Sequence, residues 1–138
     1  MTTQHMTEAD YDSITLKVQG LYQSLPSTCT ATECPQADWA GCVLRMAGHD
    51  FMDYKDGEGG ADGCVDLTDA DNSGLAECLH AGEFGISIAD AYEDFCESVS
   101  LADFLVIAAE AVMTASREHV TAEDSSRSTI DFKSLTFA

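Results

Sequence analysis

Residues 100–117 read Ser100-Leu-Ala-Asp103-Phe-Leu-Val-Ile-Ala-Ala-Glu110-Ala-Val-Met-Thr-Ala-Ser-Arg117. Ser100 followed three residues later by Asp103 is a helix start of capping-box type, with Asp in place of the usual Glu or Gln. Apolar residues then fall on nearly every side of a 3.6-residue period. The stretch therefore predicts a central helix, Leu101 to about Arg117, that needs neighbours on opposite sides. Its longest apolar run, Leu101 to Ala109, is interrupted by Asp103 and falls well short of the roughly 18 residues that span a bilayer.

Working outward, Tyr11, Ile14, Val18, Leu21 and Leu25 recur at intervals of three or four after Thr7, which predicts an amphipathic helix ending before Pro26. Trp39, Cys42, Val43, Met46 and Phe51 give a second helix from about Ala37, and Ile88, Ala91, Tyr92 and Phe95 a short third one from about Ser87 to Cys96. Between them, Pro26 to Pro35 reads as a loop that a disulfide could fasten, and the glycine-rich stretch Tyr54 to Gly63 as a structured or binding loop. No stretch reads as a convincing strand, so the fold class is all-α in a single domain, 1–138. Beyond Glu118 the composition turns polar; residues 119–138 read as a loosely structured tail that only Ile130, Phe132, Leu135 and Phe137 could anchor.

Six Lys and Arg against 25 Asp and Glu leave a net charge of −19. A field of that sign repels phosphate backbones and anionic membrane surfaces, so cations and basic proteins are the compatible partners and nucleic acid is not. Residues 1–10 lack the basic and apolar regions of a signal peptide, which fits a cytosolic start or a processed terminus. Six cysteines, an even count in a short acidic chain, lean toward an oxidising compartment, secreted or an organelle lumen. They allow 15 pairings, among which sequence does not choose; at least one disulfide is expected, including one cysteine of the loop pair Cys29 and Cys34. Structural zinc is the competing use, but no C-x-x-C pair is present. Asp69 to His80 imitates an EF-hand loop at its first positions and fails at position 12, where His80 replaces the bidentate Glu.

The chemistry is carried by Arg45 and His49, four apart and hence on one helix face. An imidazole can take a proton from a hydroperoxide and return it to the departing oxygen, while a guanidinium one turn away stabilises the negative charge that develops. An isolated R-x-x-x-H is more often an ordinary surface pair, or a His at a helix C-terminus interacting with the dipole.

The surrounding order gives the pair more weight. Val43-Leu-Arg45-Met-Ala-Gly-His49-Asp50 is followed by Gly59-Gly-Ala-Asp62-Gly, then Asp71-Asn72-Ser-Gly74-Leu75, then Ser100-Leu-Ala-Asp103-Phe. In that order the motifs resemble the haem peroxidases of plants, fungi, algae and bacteria, and Met46 to Met52 is most similar to peroxidase-like proteins of algae. The resemblance spans roughly residues 10–120 and implies the distal-side helices of that fold, with hydrogen peroxide and a small donor as substrates and haem b as cofactor. It implies that His49 is the distal acid–base residue, Arg45 the distal cation, Asn72 the amide orienting the imidazole, and Asp50 and Asp62 candidate calcium ligands.

Two departures accompany it. Gly48 stands where the family has Phe or Trp, and Cys64 where it has a hydroxyl ligand to calcium, so Cys64 reads instead as half of a disulfide. The family's proximal histidine falls beyond Ala138, and His119 lies too near the central helix to replace it; cofactor-binding residues are therefore unassigned, and the expected chain is incomplete or inactive by itself. The alternative is a non-catalytic accessory or structural subunit derived from a peroxidase and docked on another protein chain. A reading frame continuing beyond Ala138 into a Gly-Arg and a later His would favour the first.

Overall fold

In the computed structural model, residues 5–123 are described. The tail anchors expected at Ile130, Phe132, Leu135 and Phe137 lie outside them. Thr7 opens α1 (Glu8–Ser24): its hydroxyl accepts the Asp10 N–H at 3.2 Å, and the Asp10 carboxylate accepts the Thr7 N–H at 2.8 Å. Satisfying orphan donors in both directions fixes the start. The helix stops at Leu25, which is extended ahead of Pro26, as the proline ring requires of its predecessor.

The loop that follows is closed by a Cys29–Cys34 disulfide. Helix α2 (Pro35–Met52) begins two residues earlier than the apolar spacing predicts. Proline at the first helical position has no N–H to leave unpaired, and Asp38 accepts the Cys34 N–H at 2.7 Å. After α2 comes the glycine-rich loop, pinned where Gly63 (φ +80°) passes so close to Leu101 that a Cβ would meet its side chain at 3.0 Å. A 3-10 turn (Ala70–Asn72), α3 (Ala76–Leu79) and α4 (Ile88–Glu93) follow. Helix α4 is shorter than predicted, ending before Phe95 and Cys96.

Helix α5 (Leu101–Glu123) packs against both α1 and α2. Ser100 caps it as predicted, its Oγ accepting the Asp103 N–H at 3.1 Å and donating to the Asp103 carboxylate at 2.8 Å. The helix runs through His119, so the tail predicted from residue 119 begins no earlier than 124. Phe104, Leu105, Ala108, Ala111, Val112 and Ala115 are buried against Ile14, Val18, Trp39, Val43 and Met46. The alanines let the backbones approach closely; Phe104 fills the space under Tyr92 and Phe95, with ring centroids at 5.2 and 5.9 Å. Coverage is one-sided. Val106 and Met113 are 50% and 48% exposed, so the two-sided burial expected of this helix is not met within residues 5–123.

The fold is all-α; among the described residues the only β pairing is an isolated bridge between Lys55 and Glu58. No described helix is long and apolar enough to cross a membrane.

Candidate functional site

Cys42, Arg45 and His49 occupy one face of α2, spaced i, i+3, i+7. Opposite them lies the segment from Asp66 to Cys78. His49 Nδ1 is 2.7 Å from Asn72 Oδ1, and Asn72 Nδ2 donates to the Asp66 carbonyl at 2.8 Å. The second bond orients the first. A carbonyl can only accept, so it draws the NH2 end of the amide and leaves Oδ1 facing the ring. His49 must then carry a proton on Nδ1 to make the bond, and in the neutral ring this leaves the lone pair on Nε2.

Arg45 holds the same turn from the adjacent position. Its guanidinium donates to the Ser73 carbonyl at 2.8 Å and the Asp71 carbonyl at 2.6 Å, so it brackets Asn72 on both sides. Two of its five N–H donors are used in this way. The structure thus brings Arg45, His49 and Asn72 together, with Arg45 gripping the turn as well as carrying a charge. Sequence reasoning had no signal for that grip, because its acceptors are backbone carbonyls that every residue has.

Asp50, next to His49, turns into the protein and is only 1% exposed. Its Oδ1 accepts the Gly63 N–H at 2.8 Å. Burial pushes its carboxyl above the usual carboxylate range; the Gly63 N–H opposes this, and the nearby Asp62 and Asp53 charges add to it. Asp62 accepts the Cys64 N–H at 2.8 Å. Among the described residues no group of three or more His, Cys, Asp or Glu is placed to hold a metal ion.

The expected bridge at Cys64 is not formed. Cys64 and Cys96 are free and exposed, and the two disulfides are Cys29–Cys34 and Cys42–Cys78. A bridge needs its partners within about 7 Å at Cα, which sequence does not record; the fold brings Cys42 and Cys78 to 6.1 Å. The Asp62 charge beside Cys64 pushes its thiol up, further from the reactive thiolate.

Two of the depressions along α2 lie next to the site. One, of about 550 Å³, is an apolar groove between α2 and α5 lined by Leu44, Ala47, Gly48, Phe51, Val106 and Met113, with Glu110 as its charged member. A Cβ on Gly48 would meet nothing within 4 Å, so open space adjoins this position. The other, of about 310 Å³, adjoins Arg45 and includes Asp38, Glu77, Glu83 and Phe84. By themselves these residues do not fit a haem: three acids and one cation would face its two propionates, and neither depression carries a histidine.

No family model, curated protein or solved structure matches the chain.

Proposed function

We propose that this chain is the distal-side module of a haem-peroxidase-like protein, in which His49 handles the proton of a bound hydroperoxide. The observation that carries the reading is the His49–Asn72 hydrogen bond, oriented by the Asp66 carbonyl. It leaves Nε2 as the base. Nε2 takes the peroxide proton and holds it within reach of the second oxygen, while Asn72 Oδ1 keeps its bond to Nδ1–H and stabilises the imidazolium that forms. Arg45, held at its tip by two carbonyls, keeps further N–H donors for the negative oxygen. Reduction of the peroxide needs two electrons from a redox group that these side chains do not provide, so no step beyond proton transfer is assigned to them. Calcium at Asp50 and Asp62 belongs to the same reading.

The test is peroxide consumption by the full chain with haemin and added imidazole, which offers the iron a nitrogen ligand. Removing a general base typically costs 10²- to 10⁴-fold, so His49→Ala should lower the protein-dependent rate by about 100-fold. Equal rates for wild type and His49→Ala would overturn the reading.

A second reading is favoured by the apolar groove: a non-catalytic accessory subunit. Its occupant would be a partner chain presenting aliphatic side chains ringed by Lys or Arg, complementary to Glu110 and to the net charge of −19.

A further inference from the structure

Cys42, Arg45 and His49 reach the segment 71–78 in reverse order, so that segment runs antiparallel along one face of α2. His49 meets Asn72, Arg45 meets the carbonyls of Asp71 and Ser73, and Cys42 is bonded to Cys78. Cys42 Sγ also lies 3.7 Å from the Gly74 carbonyl and 3.9 Å from that of Leu75. Of these links only the disulfide is covalent.

The turn that presents Asn72 has little else to hold it. The 3-10 turn buries none of its residues, and Asp69, Ala70, Asp71, Ser73 and Gly74 are all exposed. Water therefore competes for the carbonyls that Arg45 grips and for the amide that orients His49. The first buried anchors downstream are Leu75 and Cys78, both fully buried. Leu75 holds by packing, which constrains position loosely; Cys78 fixes the segment to a point two helical turns from His49 on the same face.

We infer that Cys42 and Cys78 are positioning residues: their disulfide holds the 71–78 segment in the register that keeps Asn72 on His49 Nδ1, and so sets which ring nitrogen is free to act as base. The inference rests on the site reading above. It concerns the imidazole tautomer, and so can fail or stand separately from peroxide chemistry. The Cys29–Cys34 bridge closes a loop on the far side of Pro35 and has no such role.

The experiment is nitrogen-15 NMR of the His49 ring in the full oxidised chain. Wild type should show Nδ1 protonated and Nε2 unprotonated in the neutral ring. In Cys42→Ala/Cys78→Ala, the Nδ1-protonated fraction should fall at least about twofold toward the pattern of Asn72→Ala, since a part-buried hydrogen bond has only a modest net advantage over water. Cys29→Ala/Cys34→Ala should match wild type. Should the Cys42→Ala/Cys78→Ala protein fail to fold, a two-glycine insertion after Leu75 leaves the Leu75 anchor in place, lengthens the tether to Cys78 with the disulfide intact, and should give the same loss. A His49 spectrum unchanged by the insertion, or by the cysteine replacement in a folded protein, would mean that Leu75 packing suffices. Equal shifts in the Cys29→Ala/Cys34→Ala protein, or six free thiols in wild type, would also overturn the inference. Failure of the peroxide assay with the tautomer shift intact would remove the proposed function alone.

Discussion

His49 and Asn72, 23 residues apart in sequence, meet at 2.7 Å across the gap between α2 and the 3-10 turn. The amide that accepts the imidazole N–H is itself fixed by the Asp66 carbonyl. Removing it therefore breaks two hydrogen bonds and leaves His49 Nδ1 without its acceptor. Asn72→Ala is expected to lower unfolding stability by about 2 kcal/mol, at about 1 kcal/mol per bond, read from urea denaturation. A loss within error of zero would show that the turn is held entirely by Arg45, Leu75 and the disulfide.

The three long helices are legible because each carries an apolar period, and Thr7 and the Ser100–Asp103 pair mark two of the starts; the start of α2 at Pro35 lies two residues before the position its period predicts. Helix α3 is not. Four residues give no period, and it exists where Cys78 and Leu75 are drawn into the core by tertiary contacts. In the site, side chain types at helical spacing placed Arg45 and His49 together, and the likeness to a known motif order added Asn72. The backbone acceptors of Arg45 and the choice of cysteine partners depend on distances that no local pattern records.

Asp50 provides a pH test. Burial raises its carboxyl above the ordinary value, so the folded state binds the proton more tightly than the unfolded chain does. The ionised form thus costs stability at neutral pH, and that cost is relieved as pH falls through the raised folded value toward the ordinary one near 3.9. Asp50→Asn removes the charge and keeps an acceptor for the Gly63 N–H. It should melt above wild type at pH 7 without calcium, with the advantage shrinking as pH falls toward 4. Calcium bound at Asp50 and Asp62 would reverse the order: at 100 times its Kd it adds about 2.7 kcal/mol to wild type and nothing to Asp50→Asn. A wild-type melting temperature indifferent to millimolar calcium would remove that ion from the proposed function.

Haemin added to the chain without imidazole should give no sharp, saturable Soret change. The acids beside Arg45 oppose the propionates, and the two depressions along α2 offer no second imidazole. A clear one-site titration abolished by His119→Ala would instead make His119 an axial ligand, against its reading as a histidine near the end of α5 with no such role.

The apolar groove tests whether the chain closes on itself. Leu44, Phe51, Val106 and Met113 are each 43% to 54% exposed and line one continuous groove between α2 and α5. Contiguous apolar surface of this kind usually marks an interface, and at about 25 cal/mol per Å² its burial would favour association. A second copy is a poor occupant, because two chains of net charge −19 repel and Glu110 would face its own counterpart or other acids. The isolated full chain is therefore expected to remain monomeric and to bind a hydrophobic dye. Val106→Lys with Met113→Lys should reduce dye binding with little loss of melting temperature, since both side chains are half exposed and their replacement leaves the Phe104 core untouched. A cooperatively melting monomer with no dye binding would mean that the chain covers the groove by itself. A concentration-dependent dimer abolished by the same two substitutions would mean that a second copy does so despite its charge; either result would remove the basic partner from the accessory reading.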